Sequence, residues 1–341
     1  MIEIIIIYGL VFALAIWLVG LAKTSSNATD NIESKSMTFI IPFKNEAKRI
    51  QPLVQSFNNS QWNKNLEVIF VDDHSTDDTV NILLTDLDIP FRLLSLKDTS
   101  GKKAAIVYGV SNASHEQIHT LDADVIFNYD FLINISKLPM ADLTILPVQL
   151  SGKSIFQSLN KIEFQWLQTF TFALTKFKKP ILCNGANLSF SKTAFLETMP
   201  LRSDFNQASG DDVYLLKAIK SNGGEINSNS NLNLIIRTAA PNNFTNLISQ
   251  RKRWVKKVLN VPAILLLSVY IIYHALPFYC LINLSVSSLW LLPLVIKIFT
   301  EWVLSKQFTF KQLLILILHQ VYYVIYGIVL LISLFFKVSW K

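Results

Sequence analysis

Between residues 36 and 260, short β-branched or aromatic runs alternate with stretches whose apolar residues recur at helical spacing, and this alternation constrains the fold more than any other feature. MTFIIPF (37–43), LEVIFVDD (66–73), FRLLSL (91–96), QIHTLDAD (117–124) and DLTILPV (142–148) read as strands, because such residues suit a pleated, half-buried surface. EAKRIQPLVQSF, DDTVNILLTDL and KKAAIVYGVSN carry apolar residues three and four apart and read as helices. Strands alternating with helices predict an α/β fold with a mostly parallel sheet flanked by helices. In such folds the ligand crevice opens beyond the carboxyl ends of the strands. Acidic groups stand at three of those ends: Pro42 to Glu46 after FII, Asp72 and Asp73 after VIFV, Asp122 and Asp124 after IHTL.

The ends of the chain have a different character. Residues 4–22 carry no charge, which is close to the ~20 residues a helix needs to cross a bilayer. The start MIEI has no basic residue and no small-x-small cleavage site follows, so the run reads as an anchor rather than a cleaved signal. After Lys257 the sequence is apolar through Phe299, room for two short spans broken near 274–277, and residues 313–336 are long enough for a third. Charged residues make up only 16%, against roughly a quarter in soluble domains. The net charge of +7 gathers at Lys176, Lys178, Lys179 and Arg251–Arg253, Lys256 and Lys257, as at the cytoplasmic face of a membrane, and argues for that partner rather than nucleic acid. The expected layout is an N-terminal transmembrane anchor (1–23), a polar linker (24–36), a catalytic domain (37–257) and a C-terminal region with about three transmembrane helices (258–341). Such a layout predicts an integral protein of the cell (inner) membrane with its catalytic domain cytoplasmic. Cys183 and Cys280 form no disulfide framework, and the five histidines lack zinc-ligand spacing.

Asp122-Ala-Asp124 ends an apolar strand, so its carboxylates project from one turn into a shared crevice. Hard oxygen ligands of this kind suit Mg²⁺ or Mn²⁺, which bind through one or two carboxylates plus substrate phosphates. A solvated turn or helix cap would use the same residues. Asp77 and Asp78 read as caps of the next helix, whereas Asp72 and Asp73 sit where a carboxylate accepts hydrogen bonds from a base edge or ribose. In Gly210-Asp211-Asp212 one aspartate reads as a helix N-cap and the other as a general base toward an acceptor hydroxyl. Gln250-Arg251-Lys252-Arg253-Trp254 offers an arginine for a leaving pyrophosphate and an indole for stacking, or else an ordinary belt of basic and aromatic residues beside a membrane.

Taken in order, IIPFKNEAKRI, VDDHSTDDT, GKKAAI, DAD, NGANLSF, GDD and QRKRW resemble the family-2 glycosyltransferases of GT-A fold, the nucleotide-diphospho-sugar transferase architecture. That resemblance implies an inverting reaction in which an acceptor hydroxyl attacks the anomeric carbon as a nucleoside diphosphate departs. It implies that Pro42, Asn45, Glu46, Asp72 and Asp73 line the nucleotide pocket and that Lys102 approaches the donor. Asp122 and Asp124 would hold ribose and metal, Asp124 being the firmer metal ligand. Gly185, Ala186 and Asn187 would border sugar and acceptor. Asp212, with Asp211 beside it, matches the catalytic aspartate, and Gln250, Arg253 and Trp254 match the family's Gln-x-x-Arg-Trp motif.

Two subgroups share this layout: ceramide glucosyltransferase-like enzymes and processive synthases of cellulose, chitin and hyaluronan type. The chain turns apolar directly after Lys257, without room for a synthase's interfacial helices and gating loop, which favours a membrane lipid or membrane-proximal glycan acceptor. The segment Ile155 to Phe177 fits either a helix lying on the membrane or a core-packing one. A transporter or receptor with a nucleotide-binding cytoplasmic domain is the alternative of another class. The expected spans carry little charge beyond Lys297, Glu301, His274 and His319, so no ion path supports it.

Overall fold

The computed structural model describes Gly20 and residues 33–202, 210–258, 292–305 and 309–333. Described residues fall into two compact units, one within Ala22–Leu150 and Thr171–Ala239, the other within Ser151–Phe170 and Ala240–Lys341.

The first unit is built on a sheet of seven strands. In chain order its elements are β1 (Met37–Phe43), α1 (Gln51–Asn58), β2 (Leu66–Asp72), α2 (Thr79–Asp86), β3 (Arg92–Ser95), α3 (Lys102–Asn112), β4 (Gln117–Leu121), β5 (Ile126–Phe127), α4 (Phe131–Ser136), β6 (Leu143–Ile145) and β7 (Val148–Ser151). Then follow α5 (Ile155–Lys176), of which residues 155–170 belong to the second unit, β8 (Asn187–Ser191), α6 (Lys192–Thr198), α7 (Asp211–Ser221), β9 (Ile226–Ser228) and β10 (Ile236–Ala239). The strand order is β3-β2-β1-β4-β8-β6-β9, and β5, β10 and β7 form a separate small sheet. Pairs β1–β2, β1–β4, β2–β3 and β6–β9 are parallel, whereas β8 runs antiparallel to both β4 and β6. The mostly parallel α/β architecture read from the sequence is therefore present.

Every residue of β1 is buried, as expected for a central strand covered on both faces. Pro42 is tolerated there because the β1–β4 pairing ends at Ile40, two residues earlier, so no ladder hydrogen bond to β4 is lost. Helix α1 opens with Pro52 in its first turn and buries Leu53, Val54 and Phe57. Phe57 meets the rings of Phe39, Phe70 and Phe127 edge-on. Gly109 lets α3 approach the sheet closely, since a Cβ there would lie 2.6 Å from Ile40 Cγ2. The switch in strand order between β1 and β4 opens a crevice at their carboxyl ends, the usual ligand position in such sheets.

Three details differ from the sequence reading. DLTILPV is broken into β6 and β7 on either side of Leu146 and Pro147, because proline has no N–H to continue a ladder. The first helix starts at Gln51 rather than Glu46, with residues 46–50 forming a turn held by Arg49 N and Ile50 N donating to Glu46 O. Gly210, in left-handed conformation at φ 100°, takes the N-cap of α7, so neither Asp211 nor Asp212 is the cap.

The second unit contains α8 (Phe244–Val258), α9 (Leu292–Ser305) and α10 (Phe310–Ser333). Among the described residues no helix is long and apolar enough to cross a membrane, and this corrects the expectation of an integral membrane protein with a cytoplasmic catalytic domain. One face of α10 packs on protein, Ile315 and Leu316 clustering with Leu159 and Ile162 and Tyr323 and Tyr326 with Leu247, while Leu314, Ile317, Leu318, Val321 and Ile325 are exposed. Lys297, Glu301, His319 and Gln320 are buried on α9 and α10 and pair with one another, Gln320 Nε2 donating to Glu301 Oε2 at 2.7 Å. Leu159 and Ile162 likewise make the described part of 155–177 a core-packing helix. The expected anchor at 4–22 apart from Gly20, most of the linker, residues 259–291 of the expected spans after Lys257, and residues 334–336 lie outside the described residues.

Candidate functional site

The site is assembled from loops at one edge of the seven-stranded sheet. After β1 the chain turns through Asn45, in left-handed conformation at φ 54°, a geometry that asparagine accepts more readily than most residues. Asn45 Oδ1 accepts from Thr76 N at 2.8 Å, Asn45 N donates to Ser75 Oγ, and Glu46 N donates to Thr79 Oγ1 at 2.8 Å. The loop after β1 is thereby laced to the loop after β2. Asp77 serves that lacing, accepting from Ala47 N and from Thr79, and its local structural role matches the reading from sequence.

Asp72 and Asp73 are both buried. Asp72 accepts from Ser75 N at 2.9 Å, while Asp73 stands 3.7 Å from the Lys44 ammonium. Asp73 Oδ1 is buried without a hydrogen-bond partner among the described residues, an arrangement that leaves an acceptor open to a ligand.

Beyond β4 each carboxylate of Asp122-Ala123-Asp124 meets a cation of the chain. Lys102, at the start of α3, donates to Asp122 Oδ1 at 2.5 Å and lies 3.7 Å from Asp211 Oδ2. Arg49 Nη2 pairs with Glu46 Oε1 at 2.6 Å, and its Nη1 lies 3.5 Å from Asp124 Oδ2. Burial first, then the neighbouring Asp122, raises the Asp124 carboxyl above the ordinary range. Burial, reinforced by Asp124 and Asp122, pushes Glu46 up to about 7 despite Arg49. Burial works against the charged form of Lys102, but Asp122 and then Asp211 outweigh it and hold the ammonium firmly protonated. Three carboxylates, Glu46, Asp122 and Asp124, thus face Arg49 and Lys102, and Lys102 is shared with Asp211.

Asp211 and Asp212 open α7, where the positive end of the helix favours carboxylates. Asp212 is buried, its Oδ2 accepting from Gly185 N at 3.2 Å and its Oδ1 from Val213 N at 2.8 Å. Gly185 O in turn accepts from Thr120 Oγ1 of β4. A Cβ on Gly185 would lie 3.1 Å from Asp211 Oδ2, so the close approach of the two segments requires glycine. A small cavity here is lined by Thr120, Gly185, Arg202, Asp211 and Asp212 among others. Ala186 and Asn187 are buried, and the Asn187 amide donates to Pro147 O and Leu234 O, which gives it a structural task at the start of β8.

Three linked groups therefore lie next to one another along the chain: Glu46, Arg49 and Asp124; Asp122, Lys102 and Asp211; and Asp212 with Gly185. Residues 38–182 match the family model described as glycosyl transferase family 2. In that range the chain is similar to the family 2 glycosyl transferases. The matched range includes Pro42, Asn45, Glu46, Asp72, Asp73, Lys102, Asp122 and Asp124 and stops before Gly185 and Asp212. The chain is 36% identical over 107 residues to a 4,4'-diaponeurosporenoate glycosyltransferase of Staphylococcus aureus (strain USA300), an alignment covering 29% of this chain and 26% of that protein. It thus spans about a quarter of the length of the curated relatives it matches. A mannosyltransferase from Pyrobaculum calidifontis, solved in complex with GDP-Man and Mn²⁺, superposes over 98% of both chains with a TM-score of 0.56 at 16% identity, a likeness of fold.

No group of three or more His, Cys, Asp or Glu able to hold a metal ion occurs among the described residues. Asp122 and Asp124 offer hard carboxylate oxygens of the kind that a divalent cation takes one or two at a time, completing its shell from phosphate and water. Burial is the largest cause of the raised Glu46 and Asp124 carboxyls, and the neighbouring carboxylates add to it.

Gln250, Arg253 and Trp254 lie on α8 in the second unit. There Arg251, which sequence reasoning passed over as one of a basic run, is buried and organises its neighbours. Its Nη2 and Nε donate to Glu163 at 2.7 and 3.1 Å, its Nη1 donates to Gln250 Oε1, and its guanidinium lies 4.1 Å from the Trp254 ring centroid. Arg49 was passed over for a different reason: a basic residue beside a helix start reads as solvated, and only its spacing of three from Glu46 hinted otherwise.

Proposed function

We propose that the chain is an inverting glycosyltransferase that moves a sugar from a nucleotide-sugar donor, a UDP-sugar first among them, to a hydroxyl of a lipid or glycan acceptor. The observation that carries this reading is the Lys102 ammonium set between Asp122 and Asp211, beside an Asp212 that is held by Gly185 N. Lys102 bridges Asp122 and Asp211, and this supports a single site in which the Asp122-Ala-Asp124 turn and the Asp211-Asp212 pair act together.

Asp73, with its open Oδ1, accepts hydrogen bonds from the nucleoside, and Asn45, Glu46 and Asp72 shape the wall around it. Asp122 and Asp124 hold a divalent cation, Mg²⁺ or Mn²⁺, which when bound supplies electrostatic stabilisation of the leaving pyrophosphate. Lys102, kept protonated by Asp122 and Asp211, offers its ammonium to the same phosphates. Asp212 takes the acceptor's proton as its oxygen attacks the anomeric carbon, and Gly185 N fixes the carboxylate orientation. Removing a positioned general base of this kind typically lowers turnover 10²- to 10⁴-fold.

The test uses the full chain with UDP- and GDP-sugars and Mn²⁺. A true donor raises the melting temperature and releases nucleoside diphosphate, and Asp212→Asn slows that release 10²- to 10⁴-fold while retaining the donor-induced thermal shift. If no nucleotide sugar raises the melting temperature, or if Asp212→Asn turns over at the wild-type rate, the proposal is wrong.

A further inference from the structure

We infer that Arg49 is a counter-cation built into the donor site, seated on Glu46 and Asp124 until a divalent cation takes Asp124 and then turned toward the donor's phosphates, so that metal and nucleotide bind as a coupled pair. The inference rests on the donor-site reading above and adds a residue outside the donor-binding and catalytic set assigned from the family pattern.

Arg49 leaves the turn between β1 and α1, held by Arg49 N donating to Glu46 O at 2.8 Å. Its two terminal nitrogens take different partners, Glu46 at 2.6 Å and Asp124 at 3.5 Å. The carboxylates are the fixed members of this trio, with side chains 15% and 28% exposed against 60% for Arg49. When the trio rearranges, the exposed guanidinium moves, and its longer contact, the one to Asp124, is the first to break. The other carboxylate of the Asp122-Ala-Asp124 turn has its own resident cation, Lys102. A guanidinium beside Asp124 opposes a second cation on that carboxylate by Coulomb repulsion, moderated by solvent because Arg49 is exposed. Once phosphates arrive, the same planar fork has a better target, since guanidinium and phosphate pair bidentately. Arg49 thus penalises metal binding alone and favours metal binding together with the donor.

The test measures Mn²⁺ binding to the full chain by electron paramagnetic resonance, without nucleotide and with saturating UDP, for wild type, Arg49→Ala and Arg49→Lys. Arg49→Ala is expected to bind Mn²⁺ alone roughly 10-fold tighter and UDP, at saturating Mn²⁺, roughly 10-fold more weakly, so the coupling between the two ligands shrinks. Arg49→Lys keeps the charge and loses the fork, so its affinity for Mn²⁺ alone stays near wild type while UDP binding weakens. Unchanged or weaker Mn²⁺ binding by Arg49→Ala, in a protein whose circular dichroism matches wild type, overturns the inference, because a merely structural ion pair would alter stability and leave the coupling intact. If UDP and Mn²⁺ bind the wild type but Arg49→Ala leaves the coupling unaltered, the inference alone fails. If wild type binds neither, the donor-site reading fails with it.

Discussion

Gly185→Ala isolates the contact between the start of β8 and the Asp211-Asp212 pair. A methyl group at position 185 would lie 3.1 Å from Asp211 Oδ2 and 3.3 Å from Asp212 Cβ, against about 3.4 Å for an ordinary contact. Gly185 cannot retreat freely, because Thr120 Oγ1 donates to its carbonyl and its own N–H donates to Asp212 Oδ2. The carboxylates must therefore give way by a few tenths of an ångström. Misplacement by about 1 Å can lower turnover ~10²-fold, so a shift of this size predicts a fall in kcat of roughly 3- to 10-fold with little change in KM for the donor. Steady-state release of nucleoside diphosphate measures both parameters, and urea unfolding verifies that the fold is kept. The decisive control is the same change in an Asp212→Asn background, where the residual rate should not fall further, because the two changes act on one group. An unaltered kcat, or an equal loss in both backgrounds, would refute the claim that Gly185 positions Asp212.

Two further substitutions test the electrostatics. Glu46 is raised from its ordinary value of 4.5 to about 7, chiefly by burial. As pH rises through that interval the unfolded chain ionises first, so Glu46 weakens the fold progressively and its penalty is complete above pH 7; at ~1.4 kcal/mol per pH unit the upper bound is about 3 kcal/mol. Glu46→Gln should therefore match wild type in urea unfolding near pH 4 and exceed it near pH 8, and equal stabilities at pH 8 would contradict the account. In the second unit, Glu163→Leu leaves the buried Arg251 guanidinium without its carboxylate, which should lower the unfolding free energy by about 3–5 kcal/mol. Combining it with Arg251→Met should recover most of that loss, and a single substitution costing under about 1 kcal/mol would show that the pair is not what stabilises this helix packing.

The sheet was legible because burial on both faces forces continuous β-branched and aromatic runs, and β1 and α3 occupy the residues the pattern predicts, Met37–Phe43 and Lys102–Asn112. Boundaries slipped where chemistry other than periodicity decides them: at Pro147, which interrupts a run that hydrophobicity alone joins, and at Glu46 to Ile50, where a turn precedes the helix. The acidic residues of the site stood out because carboxylates at strand ends are conspicuous. Their basic partners did not, because an arginine's reach of several bonds hides from sequence which carboxylate it meets. The apolar stretch around Leu316 misled for a related reason. Hydropathy records how apolar a helix is and says nothing of what covers it, and here Leu159, Ile162 and Leu247 lie in the clusters that take up one of its faces, through Ile315, Leu316, Tyr323 and Tyr326.

Because β8 runs against its neighbours, with Asn187 opposite Leu121 and Ser191 opposite Gln117, it enters the sheet at the edge where the parallel strands leave it. The connection reaching Gly185 therefore arrives at the crevice from outside the β-α-β ladder, and its length is independent of the register that sets Asp73 and Asp122. A longer or shorter connection would therefore change the surroundings of Gly185 and Asp212 while the strands that carry Asp73 and Asp122 keep their register.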